Sequence, residues 1–374
     1  MKFKKAVGKI HLWLGLASGL LVCFLGITGC MLVFEKEIER FIAPYQFVAP
    51  QQKSYLAPSQ LKAAAERSLG NDRKAISIEY GSRNKAALAY YYNAKEYLII
   101  YLNPYTGAVL KRKNMNHDFF RFIINGHYYL WLPREIGQPI VASATLIFVV
   151  MMISGLILWW PKNKAARKQR FSVKWSAKWR RVNYDVHSVL GFYMTWVSIF
   201  IALSGLVMGF QWFAKTVYWT SSGGKSLPEY VGATSDTMVV KPALLRDATD
   251  MAWQQTLPLL KDNESLSVTF PAFSAAPIDI SINHRPGTYY NQDVYHYDQY
   301  TLRPLTAQGV FSGSYAQAPV AAKLSRMNYD IHVGSIGGLF TKILAFFGSL
   351  IAASLPVTGF ILWRGRNKKK KVIV

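Results

Sequence analysis

Residues 11–34 read HLWLGLASGLLVCFLGITGCMLVF. The run holds no Asp, Glu, Lys or Arg, and it exceeds the ~20 residues that cross a hydrocarbon core. Three further stretches have the same character: 139–160, 187–213 and 339–363, with Lys342 as the one charge among them. A basic start gives the first stretch the look of a signal peptide. Its apolar run is longer than a signal h-region, however, and no small-residue cleavage site follows at Phe34-Glu35-Lys36-Glu37. It is therefore expected to be a retained helix. Four such stretches predict a membrane α-helical fold.

The composition agrees. Only 17% of the 374 residues are charged, against about 25% in a typical soluble domain, while 51% are hydrophobic and the net charge is +24. Residues 1–10, 161–181 and 364–374 together hold 19 of the 44 basic residues and no acid. Each cluster abuts an apolar stretch, which fits the positive-inside rule better than nucleic-acid binding. The expected topology puts both termini and the basic loop 161–186 in the cytoplasm of a bacterial inner membrane. Residues 35–138 and 214–338 then face the periplasm. Cys23 and Cys30 lie seven positions apart on the first helix. At about 1.5 Å per residue they are too distant to bridge.

The two outer segments share a plan. In the first, Pro58–Leu69 reads as a helix, and Ala75–Tyr80, Ala87–Tyr92 and Tyr97–Leu102 read as strands before an Asn103-Pro104-Tyr105-Thr106-Gly107 turn. In the second, Ala243–Leu260 reads as a helix. Ser265–Phe270, Ile278–Asn283 and Val294–Tyr297 read as strands, with Asp298-Gln299-Tyr300-Thr301 at the turn. Each segment is expected to form its own small α+β domain.

The membrane stretches repeat as well. With His11 set on His187, Gly15 meets Gly191, Thr28 meets Ser204, and Gly29 meets Gly205. In the second and fourth stretches, Gly155-Leu-Ile-Leu-Trp159 matches Gly359-Phe-Ile-Leu-Trp363, and His127 and His332 stand at similar distances upstream. The unit of helix, outer domain, helix is thus expected twice in one orientation, with a pseudo-two-fold axis along the membrane normal.

The repeat singles out four of the seven histidines. His11 with His187, and His127 with His332, form two equivalent pairs, one per membrane side. Imidazole is a common axial ligand of haem iron, and helix bundles hold cofactors in their cores. A lone histidine at a helix end is ordinarily interfacial, but ionisable groups near the bilayer tend to be functional. Haem ligation is the reading adopted for all four, with His117 as the fallback for His127. His284 and His296 are assigned surface roles. Zinc is disfavoured, since no Cys or carboxylate stands at ligand spacing around the four. The glycines of the first and third helices would admit a flat macrocycle or serve close helix packing. Lys342 is placed to snorkel or to meet a haem propionate.

These residues resemble a known family. The His-x3-Gly start, the Thr/Ser-Gly near the far end, and the Gly-x-Ile-Leu-Trp ends look like the PepSY-associated transmembrane family. Asn103-Pro104-x-Thr106-Gly107 is similar to the end of a PepSY domain, with Asn103 where the family usually has Asp. The resemblance implies two PepSY-like periplasmic domains and an iron-regulated reductase of ferric siderophores that carries two haem b groups. On this sequence, His11 with His187 would hold the cytoplasmic-side haem, and His127 with His332 the periplasmic-side one. No Gly-x-Gly-x-x-Gly follows a strand, so membrane quinol or a redox partner is the expected electron donor. The alternative is a membrane-anchored periplasmic binding or inhibitory module without redox activity. A transporter is disfavoured by the scarcity of ionisable residues and broken helices in the spans.

Overall fold

A computed structural model describes residues 2–70, 72–161, 167, 169–238 and 247–371, with side chains to 365. Lys162, Lys164 and Lys168 of the basic loop, residues 243–246 of the expected second outer helix, and residues 372–374 of the tail lie outside the described residues. The chain divides into two compact units. One comprises residues 1–35, 123–216 and 329–374, and the other comprises 36–122 and 217–328.

The first unit is helical. α1 (Lys2–Val33), α5 (Arg134–Trp159), α6 (Trp179–Gly209) and α10 (Leu339–Lys371) are the long helices. All four are long and apolar enough to span a bilayer. α1, α6 and α10 run past the apolar windows at their basic ends, because Lys and Arg are good helix formers, whereas α5 stops at Trp159, just before Pro161. The helices pack as a ring in the order α1, α5, α6, α10. On α1 the bulky residues Phe3, Ile10, Trp13, Leu20 and Ile27 are exposed, whereas Ser18, Gly19, Gly26 and Thr28 are buried. Large apolar outside and small or polar inside inverts the soluble pattern and suits lipid.

Some glycines serve packing. A Cβ on Gly26 would lie 2.7 Å from the Ser349 carbonyl oxygen of α10, and one on Gly209 would lie 2.7 Å from Ala142 Cβ of α5. Gly19 faces Pro356 Cβ of α10 at 3.1 Å, while Gly15 meets only the mobile end of the Met151 side chain. Only side chains lacking a Cβ allow those backbones to approach so closely.

Two shorter helices complete the unit. α4 (Phe119–Tyr129) and α9 (Val320–His332) carry His127 and His332 near their C-terminal ends. The boundary between units falls within each of them. The sheet unit takes residues 36–122 and 217–328 from within the expected outer segments 35–138 and 214–338. The chain leaves α4 through Leu130 and Trp131, both left-handed at φ 56° and 57°. It leaves α9 through Gly334 at φ 73°. Two non-glycine residues in that region are locally strained. Trp131 is held there by edge contact with Phe24 of α1, ring centres 5.5 Å apart.

The second unit departs from the expectation of two separate domains. Its strands are β1 (Ser77–Tyr80), β2 (Ala87–Tyr92), β3 (Tyr97–Leu102), β4 (Val109–Asn114), β5 (Ser265–Thr269), β6 (Ile278–Asn283), β7 (Gln292–Tyr297) and β8 (Pro304–Leu305). They form one eight-stranded antiparallel sheet in the order β4-β3-β2-β1-β5-β6-β7-β8. The halves join where β1 pairs with β5, Ile78 opposite Val268 and Tyr80 opposite Leu266. Separate domains would leave β1 and β5 as open edges, and pairing them satisfies both rows of backbone groups.

A single core follows. Leu61 of α3 (Pro58–Leu69), Ile78, Ile100, Ile280 and Trp253 of α8 (Ala248–Thr256) belong to one buried cluster. Full burial of each such aliphatic side chain contributes about 1.5–3 kcal/mol. The helices are also tied directly, since the Ser59 backbone N–H donates to Asp250 Oδ1 at 2.8 Å. Two short helices, α2 (Glu35–Ile42) and α7 (Gln211–Ser221), adjoin the ends of α1 and α6 in sequence.

Candidate functional site

The site is built from four histidines, each set against a Ser/Thr-Gly dipeptide on a neighbouring long helix. His11 Nδ1 lies 2.8 Å from Ser154 Oγ. His127 Nδ1 lies 2.8 Å from Thr28 Oγ1. His187 Nδ1 lies 2.8 Å from Thr358 Oγ1. His332 Nδ1 lies 3.1 Å from Ser204 Oγ and 2.9 Å from the Ile201 carbonyl oxygen.

The glycine that follows each hydroxyl residue faces the adjoining ring atom. A Cβ would sit 3.4 Å from His11 Cε1 at Gly155, 3.7 Å from His127 Cε1 at Gly29, 3.3 Å from His187 Cε1 at Gly359 and 3.2 Å from His332 Cε1 at Gly205. Nδ1 and Cε1 are bonded neighbours, so two consecutive helix positions can meet them together. One position supplies a hydroxyl and the next supplies room.

Two of the rings come close to each other. The His127 and His332 ring centres are 6.3 Å apart, with planes at 61°. They line a cavity of about 290 Å3 within the helical unit, together with Gly26, Gly29, Ala142, Gly205 and Ala352. Ser198 also lines it, and its buried hydroxyl has no partner among the described residues. Arg134, Tyr128 and Tyr329 line it as well. α4 and α9 lie outside the four spans. Loss of hydration, and then the neighbouring His332, push the His127 imidazole down to about 3, and loss of hydration lowers His332 as well. Both rings are thus neutral at ordinary pH.

Among the described residues no protein group hydrogen-bonds Nε2 of His11, His127 or His332. Nor do three His, Cys, Asp or Glu side chains converge on a common metal position. A group that takes only two imidazoles, with a flat body accommodated by glycine and alanine, suits this donor set. A zinc ion, which takes three or four protein ligands, does not.

The other histidines are placed differently. His117 is exposed in the sheet unit and apart from the cavity lining. His284 bridges Glu264 at 2.8 Å and Asp293 at 3.1 Å. Its burial opposes protonation, but the two carboxylates outweigh that and raise the imidazole above its ordinary value. His296 is buried, not superficial, with Nδ1 2.7 Å from Asp279 on the adjoining strand. Lys342 is buried too. Glu39 accepts from Lys113 Nζ at 2.6 Å.

Sequence reasoning aligned Thr28 with Ser204 but assigned those hydroxyls no role, and it passed over Ser154 and Thr358. The signal was present, since every long helix carries one Ser/Thr-Gly dipeptide in the register now seen to meet a histidine.

The pattern of the PepSY-associated TM region matches residues 9–366. The chain belongs to this family of membrane proteins. The match covers all four long helices, both parts of the sheet and the four histidines. No curated protein matches the chain significantly.

Proposed function

We propose that the chain is a di-haem electron conduit of the bacterial inner membrane that reduces ferric siderophore in the periplasm and releases ferrous iron. The observation that carries this reading is the fourfold His against Ser/Thr-Gly setting, with His127 and His332 at 6.3 Å. In the reading, His11 with His187 and His127 with His332 hold two haem b groups, on the cytoplasmic and periplasmic sides. Haem held by these imidazoles would supply a one-electron couple suited to electron transfer over oxygen binding. The protein's residues fix the imidazoles, exclude water from the cavity and shape its mouth. Ferric iron held by hard oxygen ligands takes one electron, and the ferrous product is held more weakly and leaves. Membrane quinol or a redox partner is the donor.

The same setting in α1 with α5 and in α6 with α10 supports a two-repeat architecture, and the sheet supports PepSY-like halves fused edge to edge. A binding or inhibitory module without redox activity would need the histidines and their cavity for nothing.

The testing experiment is optical. Purified protein should contain about two non-covalent, six-coordinate, low-spin haems per chain, since Cys-x-x-Cys-His is absent from the sequence. A haem-free spectrum sinks the proposal.

Topology gives a separate check. Reporter fusions after Pro104 and Asn291 should register as periplasmic, and fusions at Lys168 and Val374 as cytoplasmic. A cytoplasmic signal at Pro104 overturns the orientation.

The glycines give a graded result. Gly205→Ala places a Cβ 3.2 Å from His332 Cε1, so the ring must give way and the haem signature on that side should broaden and weaken. Gly29→Ala meets His127 Cε1 at an ordinary 3.7 Å and should leave the spectrum close to that of the parent. Equal disturbance by both would show that ring clearance is not what these glycines provide.

A further inference from the structure

Each hydroxyl that meets a histidine has one proton, and in all four cases a carbonyl of its own helix takes that proton. Thr28 donates to the Phe24 carbonyl at 2.8 Å, and Ser154 donates to Met151 at 3.0 Å. Ser204 donates to Ile201 at 2.8 Å, and Thr358 donates to Leu355 at 3.0 Å. A hydroxyl so committed can only accept from the imidazole. With the hydroxyl proton on that carbonyl, Nδ1 carries the ring proton and the electron pair is left on Nε2. At His332 the Ile201 carbonyl, which has no proton to give, stands 2.9 Å from the same Nδ1 and requires the same tautomer.

We propose that Thr28, Ser154, Ser204 and Thr358 are positioning residues that lock His127, His11, His332 and His187 in the Nδ1–H tautomer, so that each presents Nε2 as the ligand atom. The proposal rests on the reading of these imidazoles as haem ligands.

Back-bonding alone does not explain the pattern. Ser18, Thr145 and Thr195 also donate to carbonyls of their own helices, at 2.9, 2.9 and 2.7 Å, without a histidine partner. Ser18 even precedes a glycine, Gly19, so back-bonding and a following glycine are not enough; what sets Thr28, Ser154, Ser204 and Thr358 apart is an imidazole Nδ1 within hydrogen-bond distance. A partner on the far nitrogen fixes both tautomer and ring orientation, and it tunes ligand basicity. A neutral hydroxyl accepts weakly, which keeps the ligand a neutral imidazole and avoids the anionic character a carboxylate would impose. His332, with a carbonyl as second acceptor, is the more electron-rich ligand of its pair. The two axial ligands on that side are therefore unequal.

The test compares Thr28→Val, which keeps shape and removes the acceptor, with Thr28→Ser, which keeps the acceptor. Haem content, low-temperature EPR and the midpoint potential of each haem are measured on purified full-length protein. Thr28→Val should shift the EPR signature and potential of one haem, or weaken its retention by about 10- to 100-fold. Thr28→Ser should restore the parent values, and the second haem should not change in either variant. Parent-like EPR and potential in Thr28→Val overturn the proposal. So does equal haem loss in both variants, which would mark a steric role. Haem-free parent protein overturns the ligand reading instead. In that case 15N spectra of histidine-labelled protein decide the tautomer: Nδ1–H at the four rings upholds the lock, and Nε2–H overturns it.

Discussion

His332→Ala should purify with about one haem per chain where the parent carries about two. His187→Ala should lose the other. The expectation follows from chemistry more than from stability. Alanine removes the only nitrogen that this position offers, and no other histidine lines the cavity to replace it beside His127. The variant should still fold, because α9 is anchored elsewhere. Arg326 is buried and donates to the carbonyls of Val310, Gln292 and Ser312 at 2.6, 3.1 and 2.7 Å. Those bonds lie within the sheet unit and do not involve the ring. Truncating a ring that lines an existing cavity enlarges that cavity and collapses nothing around it. Spectra unchanged in both variants would refute the ligand assignment. Loss of both haems in either variant would show instead that the two sites are not independent.

The second large effect is catalytic. Chemically reduced protein, kept without oxygen, should be reoxidised by ferric siderophore, with ferrous iron trapped by a colour-forming chelator in proportion to the electrons lost. His332→Ala should abolish this transfer while the inner haem stays reducible, because the route to the periplasmic acceptor passes through the side that holds His127 and His332. On the proposed reading, two imidazoles would leave the chelate no coordination position, so the acceptor need not be iron. If reduced protein stays reduced with every ferric chelate tested, yet another periplasmic oxidant reoxidises it rapidly, the conduit stands and the iron-reductase assignment falls.

The four spanning helices were legible in the sequence because a bilayer imposes one demand on every position of a span. An uncharged run of sufficient length has no other stable fate. Helix α3 and strands β2, β3 and β6 were legible at their observed bounds; α3 and β6 show a clear period of burial, Leu61, Ala65 and Leu69 on the helix and Ile278, Ile280 and Ile282 on the strand, whereas β3 is a short apolar run buried along nearly its whole length. The four histidines were legible through repetition, because equal offsets in two halves are a pattern within one sequence.

Tertiary structure decided what depends on which surfaces meet. Nothing local to β1 or β5 says that the two strands pair with each other. A strand edge is a row of backbone groups that any partner can satisfy, so two predicted domains became one sheet only in the fold. The glycines were equally ambiguous. Helix packing claims Gly26 and Gly209, while imidazole clearance claims Gly205, and the division depends on which neighbour each glycine faces. The hydroxyls of Ser154 and Thr358 were unreadable for a related reason. A serine within a helix can always bond its own backbone, so its sequence context is complete without a histidine. Only the packing of α1 on α5, and of α6 on α10, brings His11 and His187 within reach of those two oxygens and turns self-satisfied side chains into acceptors.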